Sequence, residues 1–419
     1  GWLNHRLIRT ACIALWPSRY QPDCTIRYFI AYLDFSPRRY LLADTTEEGV
    51  KLQFVFKTSY DADISLFKHS AQAVWYGLLL LIVLSTPLYF VAIDDAYLLG
   101  EITGILILAI AGMGLMLLTG HTGLPSLGHA TFMALGCYLN INLLSAGVPW
   151  IVAFPLSGLI AGVLGTMIAL PVLRLHGVYL ALATLAMSML TSDFVVIAEP
   201  WTGGIAGAVV PDINIFGMEI NRYSTPYKFY YLVLLVTILL VWFYRNLLRS
   251  PTGRSFTAIR DSEISARAMG INLMRTKAMS FFLSATAAGL SGALFGHSAG
   301  YVTNETFDLV MSITLLLMIV IGGLGFIQGA FFGAIVVGII PVAIANGRTF
   351  LATTFDVNIN VPGLESALFA FILICFILFE PMGLYGRWLK IHTYFELFPF
   401  YRKDMFKRQK SYLKTDRLQ

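Results

Sequence analysis

GHTGLPSLGH, residues 120–129, interrupts two apolar runs, 98–118 and 129–146, each of about the length that crosses a bilayer. Its glycines and Pro125 disfavour a continuous helix, because glycine loosens the backbone and proline removes a donor. Non-helical backbone at membrane depth survives only where protein or a watery cavity satisfies its polar groups. In transporters, broken helices of this kind often line the solute site.

Working outward, further apolar runs lie near 71–93, 150–170, 178–198, 228–244, 278–296, 308–321, 328–346 and 364–379. The pattern predicts an all-α integral membrane protein of about ten transmembrane helices, some of them broken. Composition agrees, since 57% of the 419 residues are hydrophobic and only 13% charged. A soluble domain is nearer 45–50% apolar and about 25% charged. Net charge is +5, with the basic residues in loops and tail, a pattern that sets orientation in a membrane rather than binding to nucleic acid. Cys12, Cys24, Cys137 and Cys375 form no CxxC pair, and the last two read as small apolar core residues.

The segment 245–277 carries Arg245, Arg249, Arg254, Arg260, Arg267, Arg275 and Lys277, and the tail beyond Glu380 is also basic. Four spans separate these regions, so both are expected on the cytoplasmic side, and counting back puts the N-terminus there too. The loops expected on the opposite side, at 199–227 and 297–307, are poor in Lys and Arg. The organisation expected is an N-terminal extension of unknown role at 1–69, a transmembrane domain at 70–385 with a cytoplasmic segment at 245–277, and a basic tail at 386–419. The extension reads equally as a membrane-surface helix or a loosely ordered arm.

A repeat is legible. Ala111-Gly112 precedes Gly120-His121-Thr122, and Ala288-Gly289 precedes Gly296-His297-Ser298. A weaker Gly-to-Pro spacing joins Gly165–Pro171 to Gly333–Pro341. The matched spans would run in opposite directions, as an inverted-topology repeat requires, although small residues also recur in membrane helices for packing alone.

Glu101, Asp193, Asp308 and Glu380 fall near span ends, so an acidic coupling site at midplane is not expected. The chain also has no GxxxxGK[ST] phosphate loop, so uphill transport would draw on another polypeptide. The segment 245–277 would offer it a docking site, and reads equally as a solvated loop that obeys the positive-inside rule. Pro251 and Gly253 read as a turn, Asp261 and Glu263 as the first turn of the following helix, and Gly270 as its C-terminal cap.

At these residues the chain resembles the LivM-type permease of branched-chain amino acid ABC importers. The likeness rests on LLTGHTGLPSLGHATFMALGCYL (117–139), LRLHGVYLALATLAMSM (173–189), WTGG (201–204), SPTGRSFTAIRDSEISARAMGIN (250–272) and GGLGFIQGAFFGAI (322–335). It implies a subunit of the bacterial inner membrane that is not itself an enzyme. The implied partners are a second, LivH-like permease, two cytoplasmic ATPases holding ATP and Mg, a periplasmic substrate-binding protein and membrane lipid. The implied substrate is a branched-chain or related amino acid. By the same resemblance 258–272 is the coupling helix, with Arg260, Asp261, Glu263, Ala266, Arg267 and Gly270 toward the ATPase. Ser265 departs from the EAA pattern of other importers.

Expected pathway residues are Gly120, His121, Thr122, Gly123, Ser126, His129, Trp201, Thr202, Gly203, Gly204 and His297, which would otherwise pack a broken helix or an outer loop. No metal is expected, because no nearby Asp, Glu or Cys completes a ligand set around the histidines. No cofactor is expected on this chain. The rival readings are a passive channel or secondary carrier for a small polar solute, and a membrane-embedded enzyme, for which no catalytic cluster is visible.

Overall fold

The computed structural model describes residues 70–93, 96–173, 177–215, 217–355, 367, 369–371, 374, 378 and 383–396. The expected extension at 1–69 and the distal part of the tail lie outside the described residues, as does most of the span expected at 364–379.

Among the described residues the membrane helices are α1 (Ser70–Ile93), α2 (Ala96–Leu115), α3 (His129–Ser145), α4 (Trp150–Val172) and α5 (Val178–Ile197). A single turn, α6 (Glu199–Thr202), leads through short strands to α7 (Pro226–Arg249), followed by the short helices α8 (Pro251–Asp261) and α9 (Glu263–Ala268). Then come α10 (Leu273–Ala299), α11 (Leu309–Gly322), α12 (Ile327–Phe355) and α13 (Gly383–Glu396). Among the described residues, six helices are long and apolar enough to cross a bilayer by themselves, and Gly77–Phe90 and Leu309–Gly322 are shorter apolar helices. Against the expected count of about ten, the described residues hold these six full-length candidates and two shorter apolar helices.

Helix α10 is the centre of the bundle, packed on α2, α3 and α4. Its sequence SATAAGLSGALFGHSA explains the position, because small side chains let helix backbones approach closely. A Cβ on Gly136 of α3 would run into the Gly289 carbonyl, and one on Gly292 would meet the Met133 backbone. Helices α2 and α10 run antiparallel, since Ser284 Oγ donates to the Gly114 carbonyl at 2.7 Å and Ser291 Oγ to the Ile107 carbonyl at 2.7 Å. Exposed Leu, Ile, Met and Phe side chains cover the outer faces of α1, α4, α5 and α7, as expected of helices facing lipid.

Helices α2 and α10 begin 177 residues apart, at Ala96 and Leu273, and α4 and α12 also begin 177 apart, at Trp150 and Ile327. Their neighbours correspond too: α10 packs on α4 and α2 on α12, while α3 packs on α4 and α11 on α12. Gly112 faces Met318 and Ile319 of α11 and Ala330 of α12; Gly289 faces Gly136 of α3 and Gly158 and Ala161 of α4. The weaker Gly165–Gly333 pairing is 168 residues and falls out of this register. Small residues occur throughout α4 and α12, so a two-residue match there carries little weight.

At the end of the bundle away from the basic segment, β1 (Ala208–Val209) pairs antiparallel with β4 (Tyr301–Val302), and β2 (Ile213–Ile215) with β3 (Met218–Ile220). These strands are too short to alter the all-helical class.

Candidate functional site

Helix α2 does not stop cleanly. It widens into a π turn at Met116–His121, where the Thr122 N–H and Oγ1 both donate to the Leu117 carbonyl and the Leu124 N–H to the Leu118 carbonyl. Gly123 follows at φ +73°, a conformation L side chains rarely adopt, and the chain turns back on itself. Residues 122–128 then run without regular structure to His129, where α3 begins.

His129 lies beside Ser284, eleven residues beyond the start of α10, so at 1.5 Å per residue α3 starts about 16 Å into the bundle. The break is therefore re-entrant: the chain descends past Gly114, turns at Gly120–Gly123, and climbs back to that depth. Satisfying this backbone falls to side chains from distant segments. Ser284 spends its one proton on the Gly114 carbonyl, so its oxygen accepts from His129 Nε2 at 2.7 Å. Ser126 Oγ then donates to His129 Nδ1 at 3.1 Å. The Leu127 N–H reaches Thr184 Oγ1 at 3.0 Å, and the Ala130 N–H reaches Ser312 Oγ at 3.0 Å. Ser312 in turn meets Ser188 at 3.0 Å, and Thr131 meets Thr191 at 2.6 Å. One fully buried imidazole and a set of hydroxyls thus tie α2, α3, α5, α10 and α11 together around the re-entrant segment.

The expected pathway residues divide into groups. Gly120, Thr122, Ser126 and His129 are buried in the break, His121 is half-buried, and Gly123 is exposed. Trp201 to Gly204 lie at the other end of α3, where Asn142 Nδ2 donates to the Trp201 carbonyl at 2.7 Å and Thr202 Oγ1 to the Val195 carbonyl at 2.5 Å. Thr202 and Gly204 are buried, whereas Trp201 is 70% exposed. His297 meets Asn140 Oδ1 at 2.9 Å and lines a cavity of about 340 Å³ with Asp212, Asn221 and Tyr223. The fold does not gather these groups into one cavity within this chain.

The basic segment at 245–277 differs from its expected form. Pro251 and Gly253 are not a turn but the first turn of α8, because Ser250 caps it by accepting from the Gly253 N–H and Pro251 occupies the first helical position. Asp261 ends α8 rather than opening the next helix; the extended Ser262 separates the two and caps α9 through the Ser265 N–H. Gly270, at φ +85°, closes α9 as expected, with the Ile271 N–H donating to the Ala266 carbonyl and the Gly270 N–H to the Arg267 carbonyl. Ala266 is buried, while Arg267 and the carboxylate of Asp261 face outward. Glu263 pairs with Lys277 of α10 at 2.7 Å, and Arg260 Nη1 donates to the Gly120 carbonyl at 2.8 Å.

Several residues here were not singled out by sequence. Ser284, Ser312 and Thr184 act through partners far along the chain, which no local pattern encodes. Ile264 and Met269 did carry a signal, being large apolar residues in a polar helix, and they are 85% and 80% exposed.

Residues 97–377 match the family described as branched-chain amino acid transport system, permease component. The chain belongs to that family. It is a multi-pass membrane protein, and its family is one of permease components rather than of ATP-hydrolysing subunits. It is 34% identical over 243 residues to the high-affinity branched-chain amino acid transport system permease protein LivM of Salmonella typhimurium. That alignment covers 52% of this chain and 57% of LivM, so the match spans little more than half of that relative. It is also 25% identical over 292 residues to a probable LivH of Methanocaldococcus jannaschii, covering 68% of this chain and 90% of LivH. Over 254 residues it is 28% identical to the fructose import permease protein FruG of Bifidobacterium longum, covering 58% of this chain and 71% of FruG. No solved structure matches the chain.

Proposed function

We propose that this permease-family chain is one membrane subunit of an ATP-driven importer for branched-chain or related amino acids in a bacterial inner membrane. It forms the pathway with a second, LivH-like permease. Two cytoplasmic ATPases supply the work from ATP and Mg, and a periplasmic binding protein delivers the solute.

The observation that carries this reading is the α8–α9 pair. It projects from the basic end, is tied back to the bundle at two points, and displays Ile264 and Met269 to its surroundings. Burying an exposed side chain of that size is worth roughly 1.5–3 kcal/mol, so the pair makes a natural anchor for another protein. A passive channel would have no use for such a lever.

The matched helix starts, matched neighbours and antiparallel α2 and α10 support an inverted-topology repeat, with α2 to α4 answered by α10 to α12. The span at 364–379 would bring the total toward ten. Both termini are read as cytoplasmic from the Lys and Arg distribution. The residues expected in the pathway carry hydroxyl, imidazole, indole and backbone groups, and the described acidic residues of the spans lie near helix ends. A zwitterion would pass such a lining without being trapped by fixed charge. Selectivity would rest largely with the binding protein, in keeping with relatives named as importers of amino acids and of fructose.

The test is ATP hydrolysis by the co-expressed complex in lipid, with and without binding protein and amino acid, for wild type and Gly270→Pro. Proline cannot adopt the positive φ of Gly270, so α9 loses its terminator. Stimulation that needs the binding protein and disappears in an assembled variant is the expected outcome. Flux that persists without ATP would replace this reading with the passive channel or secondary carrier.

A further inference from the structure

Buried Phe256 seats α8 against Leu117, Tyr244 and Leu283, and two polar bonds that differ in kind tie the α8–α9 pair to the bundle. Lys277 Nζ meets Glu263 at 2.7 Å with the lysine side chain only 4% exposed, so parting them would strand a buried charge. Arg260 is 45% exposed, and its bond to the Gly120 carbonyl can exchange with water at little cost. The first bond is a fixed hinge and the second is releasable.

The releasable one ends at the turning point of the re-entrant break. The Gly120 carbonyl belongs to the last turn of its helix, whose carbonyls lack partners within the helix and favour a cation. The surroundings are shaped for the guanidinium. A Cβ on Gly123 would lie 3.0 Å from Arg260 Cγ, and one on Gly325 would lie 3.4 Å from Arg260 Nη1. A Cβ on Gly120 would come within 2.6 Å of the Gly325 nitrogen, so the α11–α12 turn closes on the same point. One side chain therefore touches the coupling pair, the break after α2 and the turn between α11 and α12.

We infer that Arg260 is a positioning residue that carries motion of the α8–α9 pair into the re-entrant segment 120–128, through its bond to Gly120 rather than through contact with an ATPase. This rests on the importer reading. When the pair is pushed, Lys277–Glu263 keeps α9 on α10, while Arg260 pulls on or releases the turn at Gly120. The segment that moves is the one that carries Ser126 and leads into His129.

The test uses the full complex in proteoliposomes, with leucine uptake and ATP hydrolysis measured on the same preparation for wild type, Arg260→Met and Arg260→Lys. Methionine keeps an apolar stem but has no donor. We expect Arg260→Met to retain its ATPase subunits and to hydrolyse ATP, with uptake per ATP falling about threefold, the scale of a half-exposed charged contact. Arg260→Lys should recover part of the ratio. Hydrogen–deuterium exchange of this chain should also rise across 120–128 in the methionine variant, and that readout needs no transport. An unchanged uptake ratio, unchanged exchange, or loss of the ATPase subunits from Arg260→Met overturns the inference. Should the Arg260→Met chain itself fail to fold, Arg260→Gln, too short to reach the Gly120 carbonyl, carries the test, and a wild-type ratio with wild-type exchange there overturns it. A wild-type complex without binding-protein-stimulated hydrolysis sinks the importer reading instead, while the exchange result still decides the contact.

Discussion

Ser284 holds the re-entrant segment in place by doing two things with one hydroxyl: it donates to the Gly114 carbonyl and accepts from His129. Ser284→Ala leaves the buried His129 N–H without its acceptor, which costs about 1–3 kcal/mol. Thermal unfolding in detergent should show a clear drop, and an unchanged midpoint would mean that another acceptor takes over. Glycine at helix crossings makes a second residue-scale case. Gly136→Ala places a methyl against the Gly289 backbone and should cost about 1–3 kcal/mol through overpacking. Gly77→Ala has nothing within 4 Å of the new Cβ, so it serves as the neutral control in the same unfolding experiment. That the segment would break was legible in the Gly and Pro of 120–129. What satisfies the break was not, because Ser284 lies 155 residues from His129 and Ser312 lies 182 from Ala130.

At the level of elements, the α8–α9 pair shows how small sequence signals misplace a helix boundary. Ser-Pro reads equally as a turn or as a cap followed by a first helical residue, and the capping bond from Gly253 selects the second. Ala266 was expected toward the ATPase but is buried, while Ile264 and Met269 take the outward positions. Ile264→Glu combined with Met269→Glu should leave the fold of this chain intact and abolish co-purification of the ATPase subunits. Retention of both ATPases at wild-type yield would show that the contact lies elsewhere. Gly270→Ala forces a Cβ into the left-handed region at a cost of about 1–2 kcal/mol. It should weaken stimulated hydrolysis less than Gly270→Pro does, a ranking that the same assay reads directly.

Across the whole molecule, α2 and α10 are joined at every depth. Arg222 donates to Glu101 of α2 and to Ser298 of α10 at the end opposite the basic segment, and the two serine–carbonyl bonds lie between the ends. Arg260 and Lys277 grip the same two helices at the basic end. Orientation can be checked with single cysteines at Arg254 and Tyr223, both of them exposed. An impermeant thiol reagent added to intact cells should label Tyr223→Cys and spare Arg254→Cys until the membrane is opened. The reverse pattern would invert the topology and remove the docking argument with it.

What the sequence alone determined follows from properties each segment carries by itself. Hydropathy over about twenty residues marks a span, clustered Gly and Pro mark a break, and Lys and Arg in loops mark a side. The span and break readings hold for α1 to α5, α7 and α10 to α12, and for the break at 120–129, while the side read from Lys and Arg belongs to the proposal. The tertiary structure alone decided which faces meet. The 0%-exposed imidazole of His129 at the depth of Ser284, the outward Ile264 and the reach of Arg260 to Gly120 all depend on how closely α10 packs on α2, α3 and α4. Helices in lipid gain nothing from apolar burial against one another, so small-residue contacts and individual hydrogen bonds choose the partners. Those choices are made between segments, where a pattern read along one segment has no information.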